Sequence, residues 1–176
     1  CFPVNYQPNQ LALEIRLKDS QQDDLNDMII YIMEHDSVNN LLVSIDTSNL
    51  INSADVYYKT LPFGNYLIKG SLDAGNPLGE YYLPTYFGNS LYWNSGILIN
   101  AEGVLNNLSS DYFPVFIDLG TGIVPAGPCA IEGKIHAEIN NPLGPPVPGI
   151  DILLLSYQGV AIAHTKSDAA GNYTFN

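Results

Sequence analysis

Apolar and polar residues alternate from Leu11 onward: Leu11, Leu13, Ile15 and Leu17 share one face of an extended strand, with Ala12, Glu14, Arg16 and Lys18 on the other. Residues 28–33 follow as a nearly unbroken apolar run. A helix over 25–33, capped by Asp23 and Asp24, competes with a strand there, but Ile29, Ile30, Tyr31 and Ile32 in succession favour the strand. A polar turn at 37–40 leads into a strand from Leu41 to Ile45. Residues 57–60 and 66–69 are the next strands, with Gly64 and Asn65 suited to a turn needing positive φ. Residues 97–100, 104–105 and 112–119 are expected as closing strands.

The pattern then recurs. Residues 27–34, 41–47 and 55–60 are echoed by 150–157, 160–166 and 171–175, and residues 130–139 alternate as 11–18 do. The expected fold is all-β: two tandem antiparallel sandwich modules. Residues 1–10 form an extended lead-in, 11–120 the first module with an aromatic-rich insertion at 73–95, and 121–128 a Gly/Pro linker. Residues 129–176 form a second module that lacks a strand at its C-terminal end relative to the first. Its open edge is expected to be completed by further residues of a longer chain or by a strand from another molecule. The proline-stiffened loop at 141–149 belongs at an edge or an end.

Composition supports this class. A hydrophobic fraction of 46% supplies two small cores, and 12 Tyr, 15 Gly and 12 Pro against 14% charged residues suit β-rich extracellular modules better than helical bundles. A net charge of −12 argues against nucleic acid and anionic membrane surfaces as partners, and no apolar run is long enough to cross a bilayer as a helix. Without a charged-then-apolar leader, the chain is expected to be a mature or excised segment. Cys1 and Cys129 are too far apart in sequence for a paired metal or redox motif; one disulfide between them and two free thiols both remain open, as does a lipid on Cys1.

Common catalytic signatures do not occur, no enzyme activity is expected and no cofactor is implied. His35, His136 and His164 lie in separate strands or turns and are expected as ordinary surface or edge residues. Asp168 and Asn172 flank a glycine turn, where a side-chain-to-backbone turn explains them with fewer assumptions than a Ca²⁺ site. The most suggestive surface feature is aromatic. Tyr81, Tyr82, Tyr86, Tyr92 and Trp93 are candidates for a platform on which a sugar ring or partner loop stacks; alternatively, Tyr86, Phe87 and Trp93 close one end of the first sandwich.

Residues 133–135, 148–155 and 159–175, the last containing Thr165, Ser167, Asp168, Gly171, Asn172 and Tyr173 in register, resemble carboxypeptidase-regulatory-like, Cna-B-like and transthyretin-like modules. The resemblance covers roughly the last 50 residues, with a looser match at 61–68. It implies Ig-like or transthyretin-like sandwiches. Residues 82–93 look like a segment of large secreted or surface proteins of Bacteroidota, which implies export, by the type IX route, and a structural or adhesive role at the cell surface. Partners implied are neighbouring modules, further copies, or a polysaccharide or other surface ligand. Some Cna-B-like modules form a Lys–Asn isopeptide bond promoted by an acid; Lys134 with Glu132 or Glu138 is the matching candidate, and a solvated edge charge is the simpler role for Lys134.

Overall fold

The computed structural model describes residues 9–18, 25–52, 55–73, 75–76, 78–79, 81–106, 111–123, 130–137 and 144–175. Cys1, Cys129, Asp23, Asp24 and Glu138, together with most of the lead-in and linker, lie outside them. The described residues fall into two compact units: those within Cys1–Asp73 and Thr85–Gly120, and those within Ala74–Pro84 and Thr121–Asn176. The described residues among 75–84, although inside the stretch that the sequence assigns to an insertion of the first module, thus group with the C-terminal part of the chain.

The first unit is built from β1 (Gln10–Lys18), β2 (Asn26–Asp36), β3 (Leu41–Asn52), β4 (Tyr57–Pro62) and β5 (Asn65–Leu72). One sheet runs β4-β1-β9, with β9 at Phe113–Asp118, after which the chain forms the two-residue β10 (Gly120–Thr121). The other runs β3-β2-β5-β7, with β7 at Thr85–Tyr86, and β8 (Ile99–Asn100) also pairs with β5. β1 shows why alternation is decisive: Leu11, Leu13, Ile15 and Leu17 have no exposed surface, while Ala12, Glu14 and Arg16 between them remain half-buried. Opposite them, Met28, Ile30 and Ile32 of β2 and Ile68 of β5 are equally buried. The two layers meet closely at Gly70, where a Cβ would lie 2.5 Å from Leu17 Cδ2 and 3.3 Å from Leu119 Cδ2. Each buried Leu or Ile contributes about 1.5–3 kcal/mol.

Two features depart from the sequence expectation. β1 and β9 are parallel, with Ile15 opposite Val115. The chain reaches that pairing only by a long crossover, so a wholly antiparallel sandwich does not describe this unit. Residues 101–105, expected to end in a closing strand, form a short helix, α1 (Ala101–Leu105). Asn100 caps it, its Oδ1 accepting from Gly103 N at 2.6 Å, a capping signal that outweighs the short apolar pair Val104 and Leu105.

The second unit contains β6 (Tyr82–Leu83), β11 (Ile131–Lys134), β12 (Asp151–Leu155), β13 (Ala161–Lys166) and β14 (Asn172–Phe175). β12 pairs antiparallel with β13, and β11 with β14. The same two pairings, β2 with β3 and β1 with β4, occur in the first unit. Residues 122–123 tie the unit together, Gly122 N donating to Tyr81 O and Ile123 N to Ile162 O at 2.6 and 2.5 Å.

Candidate functional site

Residues 86–98 form a self-braced loop on the first unit. Tyr86 of β7 lies opposite Lys69 of β5, and its N–H donates to Ser90 O at 2.7 Å. Gly88 (φ +92°) and Asn89 (φ +58°) turn the chain in the left-handed region. A Cβ on Gly88 would sit 2.6 Å from Ile97 Cγ1, so only glycine allows Ile97 to close against the turn, where its N–H donates to Phe87 O at 2.7 Å. A 3-10 turn at Trp93–Ser95 spans the loop's far end.

This bracing leaves Tyr92 46% and Trp93 41% exposed. Trp93 therefore does not close the sandwich. Its ring lies 6.3 Å from that of His35, tilted by 43°, at the end of β2, and His35 Nε2 is 3.4 Å from Asn40 Oδ1. Phe87, half-buried, makes an edge-to-face contact with Phe113 at 6.4 Å, and Tyr86 is also half-buried. Among the aromatic candidates of this unit, Tyr92 and Trp93 face solvent, and His35 joins them by strand pairing that sequence position alone does not reveal. Ile97 and Leu98 add exposed apolar surface beside the turn.

Tyr81 and Tyr82 belong to the second unit, their rings in edge-to-face contact at 5.1 Å. Tyr82 has no exposed surface, so its ring serves packing and offers no stacking face. In the same unit His164, expected as an ordinary surface or edge residue, lies on β13 of the two-stranded β12–β13 sheet but is buried. Its alternating position on β13, between Ala163 and Thr165, gives no hint of this. Nε2 is hydrogen-bonded to the Gly79 carbonyl. Burial holds the imidazole below its ordinary pKa, opposed by that carbonyl and by the nearby Asp151 carboxylate. Asp151 in turn pairs with Lys166 at 3.5 Å. His136 is half-buried, with Nδ1 2.7 Å from Gly144 O.

Asp168 and Asn172 form a closed turn. Asp168 Oδ1 accepts from Ala170 N and Asn172 N, each at 2.8 Å, and Oδ2 from Asn172 Nδ2 at 3.2 Å. The Asn172 donors hold the Asp168 carboxyl below the usual carboxylate range. Its oxygens are thus committed to the turn that Gly171, at φ +78°, completes. Among the described residues no group of three His, Cys, Asp or Glu side chains is placed to hold a metal ion, and no helix is long and apolar enough to cross a membrane. Lys134 is exposed and lies opposite Asn172 in the β11–β14 ladder.

No family model, curated protein or solved structure matches this chain.

Proposed function

We propose that this chain is a non-catalytic segment of an exported bacterial surface protein, a stalk or adhesin piece whose contact surface is the aromatic patch on the first unit. The observation that carries the reading is the exposure of Trp93 beside His35 and Tyr92 on a loop braced by its own hydrogen bonds. A large rigid ring held in water is a cost to the free protein that ligand stacking recovers. Asn40, 3.4 Å from His35, and Asn94, next to Trp93 in the chain, carry amide side chains that suit hydroxyl-rich ligands. The resemblance of residues 133–135, 148–155 and 159–175 to modules that occur in tandem on surface proteins supports a repeated, weakly binding architecture, in which many low-affinity contacts add. The recurrence of the β1–β4 and β2–β3 pairings as β11–β14 and β12–β13 is in keeping with a duplicated module.

The same patch supports a second reading, an accessory carbohydrate-binding module of a secreted hydrolase. Trp93 is the sole tryptophan, so its fluorescence reports on the patch directly. Titration with a panel of bacterial and plant polysaccharides is expected to give a saturable change that Trp93→Ala abolishes. Saturation by one polysaccharide type alone favours the accessory module, and response to several favours the adhesin. No saturable response to any of them overturns ligand binding at the patch.

A further inference from the structure

β3 lies at the edge of its sheet, and its two halves are treated differently. In the C-terminal half, backbone donors carry carboxylate caps: Thr47 N donates to Asp46 Oδ1 and Ile51 N to Asp55 Oδ2, both at 3.0 Å. An edge whose amides are already occupied has little to offer an incoming strand. A bulge separates this half from the other. Asp46 lies opposite Ile32 and Ser44 opposite Met33, so Ile45 is left without a partner on β2.

Residues 41–45 are the reverse case. Among the described residues no side chain caps a backbone donor there, and the stretch contains no charge and no proline to discourage pairing. Leu41, Val43 and Ile45 are 57%, 51% and 41% exposed. Across the ladder, Leu41 lies opposite Asp36 and Val43 opposite Glu34, with His35 opposite Leu42. Asn39 and then Val38 donate to the Asp36 carboxylate and hold it below its ordinary pKa. Asp46, beyond the bulge, is matched by Lys59 at 2.7 Å. The field at the open half is therefore negative.

We infer that residues 41–45 form a docking edge for an extended, apolar peptide segment of a partner protein bearing lysine or arginine at its ends. Backbone pairing along the edge supplies affinity, alternate apolar side chains meet Leu41, Val43 and Ile45, and a long cationic side chain at the peptide end beside Leu41 reaches over β3 toward Asp36 and Glu34. A second copy of this chain is the poorer occupant, since it brings the same acidic pair and a net charge of −12 to the contact. The inference is independent of the Trp93 reading, because it concerns backbone pairing rather than ring stacking.

The test uses the full chain and a fluorescein-labelled synthetic peptide alternating valine and threonine with lysine at each end, followed by fluorescence anisotropy. Saturable binding is expected, weakened at least about tenfold when alternate peptide amides are N-methylated, the loss of roughly two hydrogen bonds. Replacing the terminal lysines by glutamates, or Glu34→Gln in the protein, is expected to weaken it as well, and added salt to do the same. Val43→Lys, at a position 51% exposed, is expected to keep the melting temperature of the parent and to lower affinity by breaking the apolar match. Absent binding, equal binding of the N-methylated peptide, or indifference to the sign of the peptide's charge overturns the inference. So does a dilution-resistant dimer that Val43→Lys dissociates, which would make a second copy the occupant.

Discussion

The phenol of Tyr57 on β4 donates a 2.5 Å hydrogen bond to Asp46 Oδ2 on β3, joining the edge strand of one sheet of the first unit to the edge strand of the other. Lys59, two residues along β4, meets the same oxygen at 2.7 Å. One carboxylate thus closes the open side of a sandwich and, through Oδ1, caps its own strand at Thr47. Asp46→Ala is expected to destabilise the protein by about 1–3 kcal/mol, because it strips partners from a half-buried phenol and ammonium. Urea unfolding curves of the two proteins check this.

The same pair sets a dependence on pH at both extremes. Lys59 and then Tyr57 hold the Asp46 carboxyl below its ordinary value, so the stability it adds is present above about pH 4 and fades as pH falls below that. Burial, then the Asp46 carboxylate, pushes the Tyr57 phenol up to about 12. Its contribution is complete below pH 10 and is lost as pH rises from about 10 to 12. In Asp46→Asn the Tyr57 titration is expected to move down toward 10. Phenolate absorbance, differenced against Tyr57→Phe, measures the shift.

Gly70 is a packing constraint rather than a turn residue. A methyl group there meets Leu17 and Leu119 across the interlayer space, and Gly70→Ala is expected to cost about 1–3 kcal/mol as both leucines leave their rotamers. A thermal melt lowered for Gly70→Ala but restored in part by Leu17→Ala in the same chain supports this. A Gly70→Ala protein as stable as the parent would contradict it.

His164 makes the second unit sensitive to mild acid. Its folded pKa is depressed, so its stabilising contribution is full above the ordinary value of about 6.5 and declines as pH falls through and below it. Protonation charges a ring buried against the Gly79 carbonyl. The protection of the Gly122 and Ile123 amides from exchange, relative to their intrinsic rates, is expected to fall as pH drops from 7 to 5, and His164→Gln to remove that fall.

At the 168–172 turn, Asp168→Ala is expected to loosen the connection between β13 and β14 because two backbone donors lose their acceptor. Addition of Ca²⁺ or of a chelator is expected to leave the melting temperature of the parent protein unchanged, since the carboxylate oxygens already serve the turn. A melting temperature that rises with Ca²⁺ would show that the cation displaces those bonds.

The alternating apolar positions of this chain determined most of its strands by themselves. Leu11 to Leu17 and the β-branched run at 29–32 are local signals: a period of two commits every second side chain to the same face, whatever the rest of the chain does. The turn at 168–172 was equally local, because the Asp168 carboxylate meets only Ala170 and Asn172, two and four residues on. Pairing across distance was not legible. The parallel docking of β9 on β1, the grouping of residues 75–84 with β13, and the burial of His164 and Tyr82 each depend on segments far apart in sequence, which leave no mark on local periodicity. Trp93 shows the same limit from the other side. Its composition class favours a core, yet the Gly88 turn and the bracing of residues 86–97 hold it in solvent next to His35, a contact that exists only once β2 and β5 have paired.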